Sequence, residues 1–386
     1  MPAPTPAVLF RPLTALFRRQ RSPQHSKSHT SSLPATMFTT TTVTVTPGVE
    51  LEYVDTGAPS KSPYTTLFIV HGMCFHSPIF EKVQAVAFAR GIRVVAITRR
   101  NFPGSTPYTP EEIAIVKEGT PQAKDAWMAA LGLQIATLVA GVIKKENLPP
   151  LSADRKTGGV ALLGWSLGVI FSIATIASAD GLPTEDRDRF AQNLHTLIIY
   201  EPAPIAIGLP TPANNWIPLM DQSLPEDHRF NIFAQWITSY FDHSPAAFEA
   251  RDAEALNYWT PSTFRPPSIF TGISSELSAR SLSLNDRAFF DMHFLMGMQD
   301  QLKATHRKAL FDKAHRALFS RLKVTHFAGI RGPAWGPAGV WALQDAEKEA
   351  GAEGSVIYKF VPDANHFMHC DEPERFVDIC QEYMAQ

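Results

Sequence analysis

The sequence predicts an α/β fold built on a mostly parallel sheet with helices on both faces. Three observations carry that expectation. Short apolar, β-branched runs alternate with helical stretches between Thr42 and Tyr200. The alternation then stops, and residues 205–320 show helical periodicity with no clear strand. Strand signals resume at Val324–Ala328 and Val356–Val361, so the sheet is completed beyond an insertion.

Each element has its own signal. Thr42–Thr46 and Leu51–Asp55 read as an antiparallel pair bent at Pro47-Gly48. Thr65–His71 (TTLFIVH) and Ile92–Thr98 (IRVVAIT) are apolar runs of the kind that buried parallel strands use, separated by a helical stretch starting near Pro78. Gln122–Lys145 reads as a long amphipathic helix stopped by Pro149-Pro150. Gly159–Gly164 is the next strand, Leu167–Ala179 a helix and Leu194–Tyr200 (LHTLIIY) another strand. The insertion is rich in Trp216, Trp236, Tyr258, Trp259, Phe289, Phe290, Met292, Phe294, Met296 and Met298. Such a set either lines an apolar pocket or forms the insertion's own core. A last helix runs from about Glu372. The expected division is a leader over residues 1–40, a core over 41–204 and 321–386, and a helical lid over 205–320.

Composition narrows the class. With 45% hydrophobic and 19% charged residues, the 386-residue chain can bury a large core and is not a disordered polymer. Lys+Arg at 35 against Asp+Glu at 37 leaves a charge of −2, no basic excess for nucleic acid. Three cysteines cannot make a disulfide framework. The window from Gly158 to Ala179 carries no charge and is long enough to cross a bilayer, but it reads as a buried strand, a turn and a helix start. No transmembrane span is expected. Residues 1–49 contain no Asp or Glu. There Arg11, Arg18, Arg19, Arg21 and Lys27 lie among Ser, Thr and Pro, with Leu9, Phe10, Leu13, Leu16 and Phe17 at near-helical spacing. That is the composition of a mitochondrial transit peptide, of a disordered leader, or of an extension upstream of a start at Met37. The expected location is intracellular: mitochondrial if the leader is a transit peptide, otherwise cytoplasmic.

The chemistry centres on Gly164-Trp165-Ser166-Leu167-Gly168, a G-x-S-x-G motif. A strand must turn sharply into a helix while lifting the Ser166 hydroxyl out of the turn, and flanking glycines leave room for that strained backbone. The helix behind it aims its positive end at a developing oxyanion. With the apolar strand before it and the apolar helix after it, the motif stands in its confirming context.

On these residues the chain resembles the α/β-hydrolase superfamily over about residues 40–386. His71-Gly72-Met73 is similar to the family's oxyanion loop, which implies Met73 and Leu167 backbone N–H groups as the oxyanion hole. Arg100-Asn101-Phe102-Pro103-Gly104-Ser105 resembles the arginine-glycine loop after the fourth strand, with Asn101 and Pro103 where glycine is frequent. Asn365-His366-Phe367 followed by Asp371-Glu372-Pro373-Glu374-Arg375-Phe376 resembles the catalytic-histidine loop and closing helix. The resemblance implies an eight-stranded, mostly parallel sheet with a helical lid inserted after the strand that follows the elbow. It also implies Ser166 as nucleophile and His366 as general base.

The acid departs from the family pattern. An Asp often stands a few residues beyond the strand preceding the histidine strand, yet Gly329-Ile330-Arg331-Gly332-Pro333-Ala334-Trp335 contains none. The other position the fold uses, the end of the strand after the elbow, holds Glu201 in Tyr200-Glu201-Pro202-Ala203. Asp363 reads as turn chemistry, Asp345 as a helix surface residue, His71 and His76 as loop structure, and Cys74 as a buried filler. His366-x-x-His369 lacks a second ligand cluster, so no metal is expected, and no nucleotide motif is present. The expected function is a serine hydrolase that cleaves an ester, lactone or thioester of a fairly apolar small molecule, with no cofactor. The alternatives are an acyltransferase or lyase on the same triad, or a silent binding protein on this fold.

Overall fold

The computed structural model describes residues 38–283 and 286–386; the leader expected over residues 1–40 lies almost wholly outside them. Eight strands form one sheet in the order β1-β2-β4-β3-β5-β6-β7-β8. They are β1 (Thr39–Thr46), β2 (Val49–Asp55), β3 (Thr66–Val70), β4 (Arg93–Ile97), β5 (Val160–Trp165), β6 (Leu194–Tyr200), β7 (Lys323–Gly329) and β8 (Val356–Val361). β1 pairs antiparallel with β2 and β2 antiparallel with β4, while β3 to β8 run parallel. β1 begins at Thr39, three residues earlier than its apolar alternation shows, because its first residues face solvent and carry no apolar signal. Gly48, at φ +79°, makes the hairpin turn.

β3, β4, β5 and β6 are buried along their whole length. A strand covered on both faces cannot alternate polar and apolar side chains, which is why these segments read as unbroken apolar runs. Each large aliphatic side chain so buried contributes about 1.5–3 kcal/mol of transfer free energy. The crossover from β3 to β4 steps one way along the sheet and the crossover from β4 to β5 steps back past β3. Right-handed crossovers in opposite directions put their helices on opposite faces.

Helix Pro121–Lys145 starts on a Thr120 cap and packs against helix Gly168–Ser178, whose every residue is buried. The hydroxyls of Ser172 and Thr175 are satisfied within that helix, by the carbonyls of Val169 and Phe171. Helix Pro110–Glu118 was not singled out above, though Thr109 and Glu112 close a full capping box around its start. Between β6 and β7 the described residues form helices, including Glu226–Ile237, Asp286–Gly297 and Gln299–Leu310, and no named strand.

Register then places the chemistry. Val70 pairs with Gly164, Trp165 with Tyr200, Tyr200 with Phe327 and Gly329 with Val361. The carboxyl ends of β3, β5, β6, β7 and β8 therefore finish at one edge. Sequence order reverses between β3 and β5, the place where open α/β sheets form their crevice.

Candidate active site

Ser166 follows β5 directly, at φ +55°, in the left-handed region that costs a residue with a Cβ about 1–3 kcal/mol. Neighbouring glycines make that turn possible. A Cβ on Gly72 would lie 2.9 Å from the Ser166 Cβ, and one on Gly168 would lie 2.2 Å from the Val70 carbonyl oxygen. A Cβ on Gly164 would meet the Ser172 hydroxyl at 2.3 Å. The strand, elbow and helix thus approach closer than side chains allow. Leu167 caps helix Gly168–Ser178 with no side-chain acceptor, so the helix's positive end faces the site.

Met73 lies on the loop after β3 and lines the same cavity as Ser166 and Leu167. Behind the loop, His71 Nε2 accepts from the Arg99 N–H at 3.0 Å, so its Nδ1 carries the proton and donates to the Gly72 carbonyl at 2.9 Å. Burial, together with the Arg99 cation, pushes His71 well below the ordinary histidine range, which keeps that neutral tautomer. His71 is thus a structural part of the loop. Asn101 stands at φ +72°, which explains why asparagine can occupy a position where glycine is frequent.

His366 follows β8 and is buried, with its backbone pinned from two sides. Its carbonyl accepts from Trp165 Nε1 at 3.1 Å and from the Tyr200 hydroxyl at 3.0 Å. Its ring packs edge-on against Trp335, with centroids 4.6 Å apart, and tilted against Trp165 at 5.1 Å. The preceding Asn365 donates to the Thr238 carbonyl and the Ser268 hydroxyl, which ties the loop to the insertion. Burial pushes the His366 imidazole down to about 3.

Glu201 follows β6 at φ +51° and is completely buried. Its Oε2 accepts from the Gly329 N–H at 3.2 Å, and its Oε1 lies 3.5 Å from His366 Nδ1. Neither Oε1 nor Nδ1 has another hydrogen-bond partner. Buried polar atoms are normally hydrogen-bonded, and these two face each other across that gap. Burial drives the carboxyl well above its ordinary range, opposed by the Gly329 N–H. The acid-free loop after β7 accommodates this side chain: a Cβ on Gly332 would come within 2.1 Å of Oε1, and one on Gly336 within 2.8 Å. Asp345 instead pairs with Arg251 at the surface, and Asp363 is a turn residue at φ +57°.

Met73, Leu167, Ser166 and His366 converge on a cavity of about 50 Å³ that is also lined by Phe75, Trp165, Ile217, Phe233, Trp236, Leu295 and Trp335. Of the aromatic and methionine residues singled out in the insertion, Trp236 alone among the described ones lines it. Met292, Phe294 and Met298 are buried in the core and Met296 and Trp259 are exposed, so most of that set is packing. Trp335 and the glycines at 332 and 336 were missed, because nothing local marks a residue as the wall of a distant side chain. Cys74, Cys370 and Cys380 are free and buried, and burial raises each thiol. Among the described residues, no group of three or more His, Cys, Asp or Glu side chains is arranged to hold a metal ion. Helix Pro121–Lys145 is long and apolar enough to cross a membrane, but 67% of that stretch is buried inside the protein.

The fold is shared with known proteins. No curated protein matches the chain in sequence. Among solved structures it is similar to an esterase from Exiguobacterium antarcticum, at 12% identity and a TM-score of 0.52, over 90% of this chain and 99% of that one. It is also similar to 2-hydroxy-6-oxo-6-phenylhexa-2,4-dienoate hydrolase from Rhodococcus sp. strain RHA1, at 10% identity and a TM-score of 0.54, over 90% and 99%. At such identities the likeness is one of fold. The model of the alpha/beta hydrolase family matches residues 67–379, most of the chain. The chain therefore belongs to the alpha/beta hydrolase family.

Proposed function

We propose that the protein is a serine hydrolase that cleaves an ester, lactone or thioester of a fairly apolar substrate through an acyl-serine intermediate. One observation carries the reading: Ser166 and His366 share an apolar cavity, and the only buried acid facing His366 Nδ1 among the described residues is Glu201, 3.5 Å away. In this mechanism His366 Nε2 takes the Ser166 proton as Oγ attacks the carbonyl carbon. The N–H groups of Met73 and Leu167 receive the oxyanion, and Glu201 holds the imidazolium. The proton then passes to the leaving oxygen or sulfur, and the acyl group stays on Ser166. A water molecule, deprotonated by the same imidazole, releases the acid and restores the serine.

The insertion between β6 and β7 acts as the lid, supplying Ile217, Phe233, Trp236 and Leu295 to the cavity wall. Among the described lining residues none is Asp, Glu, Lys or Arg, which favours an uncharged acyl group. The small cavity, about 50 Å³, favours compact acyl groups over bulky ones. The test has two parts. A fluorophosphonate probe should label the protein and lose its target in Ser166→Ala. Activity across p-nitrophenyl esters of graded chain length should then report the acyl preference. A folded protein that neither labels nor turns over any ester is a binding protein on this fold, and the proposal fails.

A further inference from the structure

We propose that Arg99 is the positioning residue of the oxyanion-binding peptide, and that Asp291 of the insertion holds Arg99 in place. The inference rests on the acyl-serine reading above. It begins with a residue that the family resemblance does not include. The arginine-glycine loop starts at Arg100, whose guanidinium turns to Glu112. Arg99, one residue earlier, turns inward and is 1% exposed at its side chain. A guanidinium cannot be buried without partners for its charge and its N–H groups.

Those partners belong to the oxyanion loop and to the insertion. Arg99 Nε donates to the His71 carbonyl at 3.1 Å, and Nη2 donates to the Gly72 carbonyl at 2.8 Å. Nη1 and Nη2 form a two-pronged pair with Asp291, at 3.2 and 2.8 Å, on helix Asp286–Gly297. The flat faces of the guanidinium lie 4.7 Å from the Phe102 ring centre and 4.6 Å from that of Phe171.

The Gly72 carbonyl is the other end of the peptide unit whose N–H belongs to Met73, the candidate oxyanion donor. A trans peptide is planar, so fixing the direction of its oxygen fixes the opposite direction of its N–H. That oxygen accepts from Arg99 Nη2 and from His71 Nδ1, which occupies both of its lone pairs. A cation on the carbonyl also polarises the peptide and strengthens its N–H as a donor. The loop is tied to the insertion in front as well. Ser283 N–H donates to the Cys74 carbonyl at 2.8 Å, His76 N–H donates to the Ser281 carbonyl at 2.8 Å, and Phe75 bridges Leu282. The oxyanion donor is therefore oriented by Arg99 and His71 of the core, while the insertion holds Arg99 through Asp291 and the loop through Ser281 and Ser283. Lysine cannot replace Arg99, because it has no planar fork to span two carbonyls and a carboxylate.

The experiment compares the full chain with Asp291→Asn and Arg99→Lys, using p-nitrophenyl butyrate as substrate and an alkyl trifluoromethyl ketone as inhibitor. The ketone adds Ser166 Oγ to its carbonyl carbon, and its oxygen becomes the oxyanion in the hole. Both variants should lower kcat by about 10- to 100-fold, less than the loss of a whole oxyanion donor. KM should stay within about threefold, and the ketone should weaken by the factor lost in kcat/KM. Arg280→Gln, which breaks an exposed ion pair between the insertion and Glu81, should change neither. Should Arg99→Lys fail to fold, Asp291→Asn carries the test, since it keeps size and shape. Unchanged ketone affinity in a folded variant, or a rise in KM alone, would overturn the positioning role while leaving the hydrolase reading intact. A wild-type chain inert to both ester and ketone would overturn the two together.

Discussion

Gly332→Ala tests Glu201 as the proposed acid without substituting any proposed catalytic residue. The new Cβ would stand 2.1 Å from Glu201 Oε1 and 3.3 Å from the His366 backbone nitrogen. Gly332 is not in a positive-φ conformation, so alanine brings no backbone strain and the effect is steric. An uncrowded carbon–oxygen contact requires Oε1 to retreat by about 1 Å. Gly336 packs against the same carboxylate, a Cβ there lying 2.8 Å from Oε1, so Oε1 can retreat only by rotating from its place opposite Nδ1. The 3.5 Å gap then opens further, and the imidazolium loses its counter-charge. A misplacement of this size corresponds to about a 10²-fold loss in kcat/KM, while overpacking costs about 1–3 kcal/mol of stability. Ester turnover and thermal melting on the same preparation separate the two effects. In a Glu201→Gln background the alanine should cost almost nothing more in kcat, because the group it displaces no longer carries charge. Full activity in folded Gly332→Ala, or an additive loss in the double variant, would refute the assignment of Glu201 as the acid.

Ser166→Ala and His366→Ala should each remove nearly all activity, with the double variant little worse than either, since groups that act as a unit are not additive; kinetics on the three proteins checks this. kcat/KM should rise with pH as the His366–Glu201 pair sheds one proton, because the active form needs a neutral imidazole beside a carboxylate. In Glu201→Gln the anion that favours the imidazolium is gone, so the acid limb should move to lower pH while kcat falls. An acid limb that stays in place would show that the two groups do not interact. Gly168→Ala should lower the melting temperature, since its Cβ would lie 2.2 Å from the Val70 carbonyl oxygen and drive helix Gly168–Ser178 off β3. An unchanged melting temperature would show that the elbow tolerates separation from β3.

Local chemistry explains why so much was legible before folding. The parallel strands announce themselves because burial on both faces demands unbroken apolar runs. The elbow does so because Ser166 at positive φ needs Gly164 and Gly168 beside it. His366 is singled out as the candidate base by its neighbours Asn365 and Phe367 and the helix behind them. These are constraints between residues a few positions apart, and the chain itself records them. The proposed acid, Glu201, is reached through the position the resembled fold uses and not through its neighbours in the chain. Glu201 and the glycines at 332 and 336 lie more than a hundred residues apart, and only the in-register ends of β6 and β7 bring the carboxylate into the space those glycines leave. Likewise, Trp236 and Met298 look alike as apolar residues of one insertion, yet one lines the cavity and the other is core. Arg99 and Asp291, 192 residues apart, carry no mark of each other in the sequence. Burial and periodicity are written locally because each residue must suit its own strand or helix, whereas the partner of a buried charge is chosen by whichever distant backbone the fold lays beside it.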